Sequence, residues 1–178
     1  MKRRKRVRSI GEAGFTLIEV LVVIGISAVL MTLAAGAMRH YWFVNALDSS
    51  TDEVVTQLRN AQQRVGAESH PVVYGIRFKP DTADWGVVQY DPRKATDKCT
   101  AEATQGFETG VEIETASFSG ADSPEGMACT WALGAANSFV FFYARGSATG
   151  GTVKLTSDLL GRSNVVTVTP ITGRVLRP

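Results

Sequence analysis

The sequence predicts an α+β chain: a long N-terminal helix packed on an antiparallel β-sheet or β-sandwich domain. Three observations carry this. Residues 15–38 are almost uninterruptedly apolar. The apolar positions from Val44 to Val65 then recur at alternating spacings of 3 and 4, one face of a helix. From residue 71 onward the period drops to two, in short β-rich runs separated by Gly-rich or polar turns.

Charge divides the chain of 178 residues in the same places. Residues 1–14 hold six Lys/Arg against Glu12, a net of +5. Residues 40–138 hold seven Lys/Arg against fourteen Asp/Glu, a net of −7, and residues 139–178 return to +4. Val20 to Met38 is nineteen residues without a charge. As a helix, residues 15–38 would extend about 36 Å, enough to cross a ~30 Å hydrocarbon core. The basic run before it predicts that residues 1–14 stay cytoplasmic and that everything after Arg39 is exported. A cleaved secretory signal would have a shorter apolar core, although "AAGAM" could supply a site after Ala37. Against it, "RHYWFVNAL" continues the helical pattern without a break.

Glu19 is the one charge inside the apolar run. A carboxylate there costs a few kcal/mol at a bilayer centre and less near an end. "TLIE" reads as a Thr-x-x-Glu capping box, with Thr16 as cap and Glu19 at the third helical position. That accounts for the residue types. It does not explain why the box lies inside the apolar run.

"GFTLIEVLVVIGISAVL" resembles the class III signal of type IV pilins and type II secretion pseudopilins. The resemblance implies that 1–14 is a basic leader removed by a prepilin peptidase after Gly14. Phe15 then becomes an N-methylated N-terminus. Glu19, fifth counting from Phe15, would pair with the terminal amine of a neighbouring subunit during filament assembly. Opposite charges buried in lipid strongly favour such pairing.

The second half of the helix, 39–66, carries Val44, Leu47, Thr51, Val54, Leu58, Ala61 and Val65 on one face, with Thr51 interrupting the apolar stripe. Tyr41, Trp42 and Phe43 suit either a membrane boundary or the base of a core. Gly66 and "SHP" at 69–71 end the helix. Strands are expected at 72–78 and 85–90 as a hairpin, then at 111–118, 138–144, 151–157, 164–170 and within 172–176, with no second helix. The stretches 91–110 and 119–137 lack periodicity and read as loops. Each holds one of the two cysteines, Cys99 and Cys129. Such a pair in an exported domain most often forms a disulfide, with two free thiols as the alternative.

The tail, "FVFFYARGSATGGTVKL" followed by "NVVTVTPITGRVL", resembles the C-terminal region of the GspH/FimT pseudopilins. The implied organisation is leader 1–14, transmembrane helix 15–38, amphipathic continuation 39–66 and periplasmic β-rich domain 67–178. The implied location is the inner membrane, crossed once. The implied role is a minor pseudopilin of a type II secretion pseudopilus that helps export folded proteins, with other pseudopilins as partners. The alternative is a FimT-like pilus or competence subunit that binds DNA through Arg174 and Arg177. In this chain the tail reads Gly-Arg-Val-Leu-Arg, with the second arginine displaced by one from the family pattern. No enzyme, cofactor or metal site is expected. His40 and His70 show no spacing with a nucleophile or with the cysteines, "ARGSATGGT" lacks the Lys of a phosphate loop, and Asp81 and Asp84 read as turn residues.

Overall fold

The computed structural model describes residues 15–67 and 71–177. The first element is a single helix, α1 (Leu17–Ala67). The chain divides into two units after Arg39, so α1 contributes to both.

In the first unit, the apolar side chains of α1 are exposed; Leu17, Ile24 and Leu33 are all more than half exposed. The helix is long and apolar enough, by length and composition, to cross a membrane. A helix suits that setting because its backbone groups are satisfied internally. The Thr32 hydroxyl is satisfied too, donating to the Val29 carbonyl at 2.7 Å.

In the second unit, α1 is buried along the predicted stripe. Leu47, Val54, Leu58, Ala61 and Val65 are all at most 3% exposed. Among the described residues nine strands follow: β1 (Val73–Phe78), β2 (Asp84–Tyr90), β3 (Cys99–Ala101), β4 (Gln105–Gly106), β5 (Glu112–Phe118), β6 (Ser138–Phe142), β7 (Gly151–Ser157), β8 (Arg162–Val168) and β9 (Val175–Leu176). They form two antiparallel sheets. One has the order β3-β2-β1-β6 with β4 also on β2; the other has the order β5-β7-β8-β9. The hairpin expected at 72–90 is present, with Val73 opposite Tyr90 and Phe78 opposite Trp85.

Side-chain alternation explains the layers. In β7, Val153 and Leu155 point inward while Thr152 and Lys154 face outward. β6 is buried on both faces, which is why "FVFF" is a continuous apolar run. Val140 and Phe142 join the main core with Leu58, Ile76, Trp85, Ile113, Leu155 and Val166. Phe139 and Phe141 join a second cluster with Val73, Val88, Cys99 and Cys129. Each fully buried aliphatic or aromatic side chain contributes roughly 1.5–3 kcal/mol.

Two expectations are corrected. The segment 119–137 is not a loop, and there is a second helix: α2 (Pro124–Leu133) follows a 3₁₀ turn at Ser119–Asp122. Its apolar pattern is hidden because only Gly126 and Cys129 are buried, too few to mark a face. Its signal lies in the caps instead. Ser123 accepts from the Gly126 amide, Pro124 opens the first turn, and Gly134 closes the helix with φ 100°. The segment 91–110 also contains structure, because β3 and β4 add two short pairings to β2. Polar edge residues such as Thr100 and Gln105 carry no alternating apolar pattern that would announce them.

Candidate functional site

The start of α1 is the first candidate. Gly14 lies outside the described residues. Phe15 precedes the helix and is 82% exposed. Thr16 is the cap, and its Oγ1 accepts from the Glu19 amide at 3.3 Å. Only this half of the capping box forms. The Glu19 carboxylate is exposed and has no hydrogen-bond or ion-pair partner among the described residues. Phe15 and Glu19 line one shallow apolar groove with Val20, Val23 and Ile24. The helix start therefore presents an unused carboxylate beside Phe15, on a surface otherwise made of hydrocarbon.

The disulfide Cys99–Cys129 forms across the second cluster, with Cα atoms 5.1 Å apart. It fastens α2 to β3 on the edge of the first sheet. Tyr143 donates to the Glu125 carboxylate at 3.3 Å at the other end of α2. Burial, with the nearby Glu125 charge, pushes the Tyr143 phenol above its ordinary range.

The two tail arginines are placed differently. Arg177 reaches back to α1, donating to Asp48 at 2.7 Å and to Asp52 at 2.5 Å. Asn164 on β8 donates to the same Asp48 at 3.1 Å and to the Thr51 hydroxyl at 3.0 Å. Thr51, the apparent interruption of the stripe, is fully buried and donates to the Leu47 carbonyl at 2.6 Å. This is a clasp that ties the tail and β8 to the second half of α1. Sequence reading missed Asp48, Asp52 and Asn164, because only the fold brings them to residues more than 100 positions away. Arg174 has no ion pair among the described residues and lines a shallow polar groove with Arg59, Gln62 and Gln63. Gly173, at φ +59°, turns the chain ahead of Arg174; a Cβ there would lie 2.7 Å from the Gly146 carbonyl.

An acid on the helix faces another from the segment between β4 and β5. Burial raises the Glu53 carboxyl above its ordinary range, and the Glu108 charge adds to the shift. Among the described residues, no group of three or more His, Cys, Asp or Glu could hold a metal ion.

Comparison with known proteins agrees with the helix start. Residues 11–35 match the family model described as the prokaryotic N-terminal methylation motif. No curated protein matches the chain. A matching solved structure is that of the minor pseudopilin EpsH from the Type 2 Secretion System of Vibrio cholerae, at a TM-score of 0.53 and 12% identity. The match covers 74% of this chain and 95% of that one. At this identity the likeness is one of fold. The chain thus carries a match to a prokaryotic N-terminal methylation motif at its start and a fold like that of a minor pseudopilin.

Proposed function

We propose that the protein is a minor pseudopilin, a filament subunit of a type II secretion system that helps move folded proteins across the outer membrane. In this reading a prepilin peptidase removes residues 1–14 after Gly14 and Phe15 is N-methylated. Residues 15–38 anchor the subunit in the inner membrane, and the domain from residue 67 lies in the periplasm. Glu19 then pairs with the terminal amine of a neighbouring subunit. The observation that carries the reading is the Glu19 carboxylate. Thr16 caps the helix without it, so among the described residues it is left without a partner on an apolar surface. A lone carboxylate in lipid is costly, and a cationic partner from another chain relieves that cost. The secretion context is supported by the fold likeness to a type 2 secretion pseudopilin.

Two variants test this. Gly14→Ala is expected to leave the leader attached, and mass spectrometry finding Phe15 at the N-terminus of that variant would refute the processing step. Glu19→Val is expected to insert into the membrane but not to enter filaments. Incorporation at the wild-type level would remove the intersubunit pairing.

A further inference from the structure

We infer that the groove holding Arg59 and Arg174 docks a second copy of this chain, through that copy's Glu53 and Glu108. The inference rests on the reading of the chain as a filament subunit, and every residue in it belongs to the second unit. Arg59 on α1 and Arg174 just ahead of β9 line the groove with Gln62, Gln63 and Thr172. Both arginines are exposed, and neither has an ion pair among the described residues. Arg174 is nonetheless fixed at its backbone. Its carbonyl accepts from the Thr169 amide at 2.9 Å and from the Thr169 hydroxyl at 3.2 Å. The turn ahead of it sits close on α1, since a Cβ at Gly173 would lie 3.0 Å from the Gln62 carboxamide nitrogen. The groove therefore offers two unmatched cations on a held backbone, and such preorganisation lowers the entropy lost on binding.

Charge complementarity names the occupant, because the matching acids stand on the opposite flank of the same helix. At about 100° per residue, Glu53 and Arg59 fall on opposite sides of the buried stripe through Val54 and Leu58. Their surroundings agree. Glu53 faces Glu108 from the segment between β4 and β5, whereas Arg59 shares its groove with the tail. Neither carboxylate has an ion pair among the described residues. The other charges nearby are mostly matched: Arg64 pairs with Glu102 on the acid flank, and Arg177 with Asp48 and Asp52 on the groove flank. Three glutamates against one arginine leave the acid flank at −2, and three arginines against two aspartates leave the groove flank at +1. Flanks that face apart cannot meet within one molecule, but they meet between two. Such a contact is heterologous and repeats into an open row rather than closing a pair. An anion of another class, such as DNA, would match the arginines and leave the acids unmatched; a second copy matches both. Between parallel helices, the six-residue step from Glu53 to Arg59 staggers neighbouring copies by about 9 Å. Exposed ion pairs are individually weak, so the contact sets register more than affinity.

The test is cross-linking in filaments sheared from cells that overproduce the full chain. Gln63→Cys places a thiol in the groove and Thr109→Cys places one beside Glu108, both at exposed positions, while Cys99 and Cys129 remain paired. With a short bis-maleimide, the chain carrying both thiols is expected to give a ladder of dimers, trimers and longer products. Either thiol alone is expected to give none. Adding Arg174→Glu is expected to lower the ladder about tenfold, and adding Glu108→Arg to that chain to restore it. The wild-type ladder is also expected to weaken between ~0.05 M and ~0.5 M salt. Dimers from Gln63→Cys alone would show a two-fold contact and overturn the inference. So would a ladder indifferent to charge reversal and salt, or a loss in Arg174→Glu that Glu108→Arg fails to restore, which would assign the groove to a different anion. A chain present in filaments without a ladder would overturn this inference alone. A chain absent from filaments would overturn the subunit reading and the inference with it.

Discussion

Breaking the disulfide offers the sharpest test of how the second unit is held together. Cys99 and Cys129 are 30 residues apart and both buried, at 6% and 0% exposure. Closing a loop of that length removes entropy from the unfolded chain corresponding to about 3.5 kcal/mol. Replacing both cysteines with alanine, or reducing the bond, is therefore expected to lower stability by about that amount. With a urea m-value of about 2 kcal/mol per molar, the unfolding midpoint drops by roughly 2 M. Hydrogen exchange adds a local signature. α2 buries only Gly126 and Cys129, so its amides are expected to lose protection first, while β7 and β8 keep theirs. An unchanged urea midpoint after complete reduction, checked by thiol titration, would refute the reasoning.

Three further outcomes follow from the packing and charges. Leu58→Ala, at a fully buried position on α1, is expected to cost about 2–5 kcal/mol in denaturant unfolding; a cost below ~1 kcal/mol would mean the helix stripe is not core. Arg177→Ala is expected to cost at most about 1 kcal/mol, since these ion pairs are partly solvated, and the loss should shrink in high salt; a salt-independent loss would point away from charge pairing. For Glu53, the raised folded-state carboxyl imposes no penalty below the ordinary glutamate range, because both states are then protonated. The penalty develops as pH rises through the folded-state value. Glu53→Gln is thus expected to stabilise at pH about 7 and to be neutral at pH about 3.5, and equal urea-midpoint gaps at both pH values would contradict that sign.

What could be read from the sequence followed from what each element buries. α1 was legible throughout, by unbroken hydrocarbon in one half and by the 3-and-4 spacing from Val44 to Val65 in the other. The strands that wall the main core showed themselves as β-rich runs. α2 was not legible by period, because it is pinned by one sulfur and its caps rather than by an apolar face. Yet Ser123 before it, Pro124 and Glu125 in its first turn and Gly134 after it are start and stop signals of the ordinary kind. The helix start was legible because it depends on local order in the chain, Thr16 and Glu19 beside Phe15. The clasp was not, since Asp48, Thr51, Asn164 and Arg177 meet only once α1, β8 and the tail are packed.

That clasp also has a mechanical meaning. In the filament role proposed above, a load on the helix would act along the axis of α1. Asn164 and Arg177 grip Asp48, Thr51 and Asp52 from the side, within little more than one helical turn. Axial force therefore loads these contacts in shear, and they must yield together rather than peel one by one. Resistance to such loading is set by the rate of unfolding rather than by equilibrium stability. A clasp of modest equilibrium worth can thus govern how much force passes from the helix into the sheets before the two part.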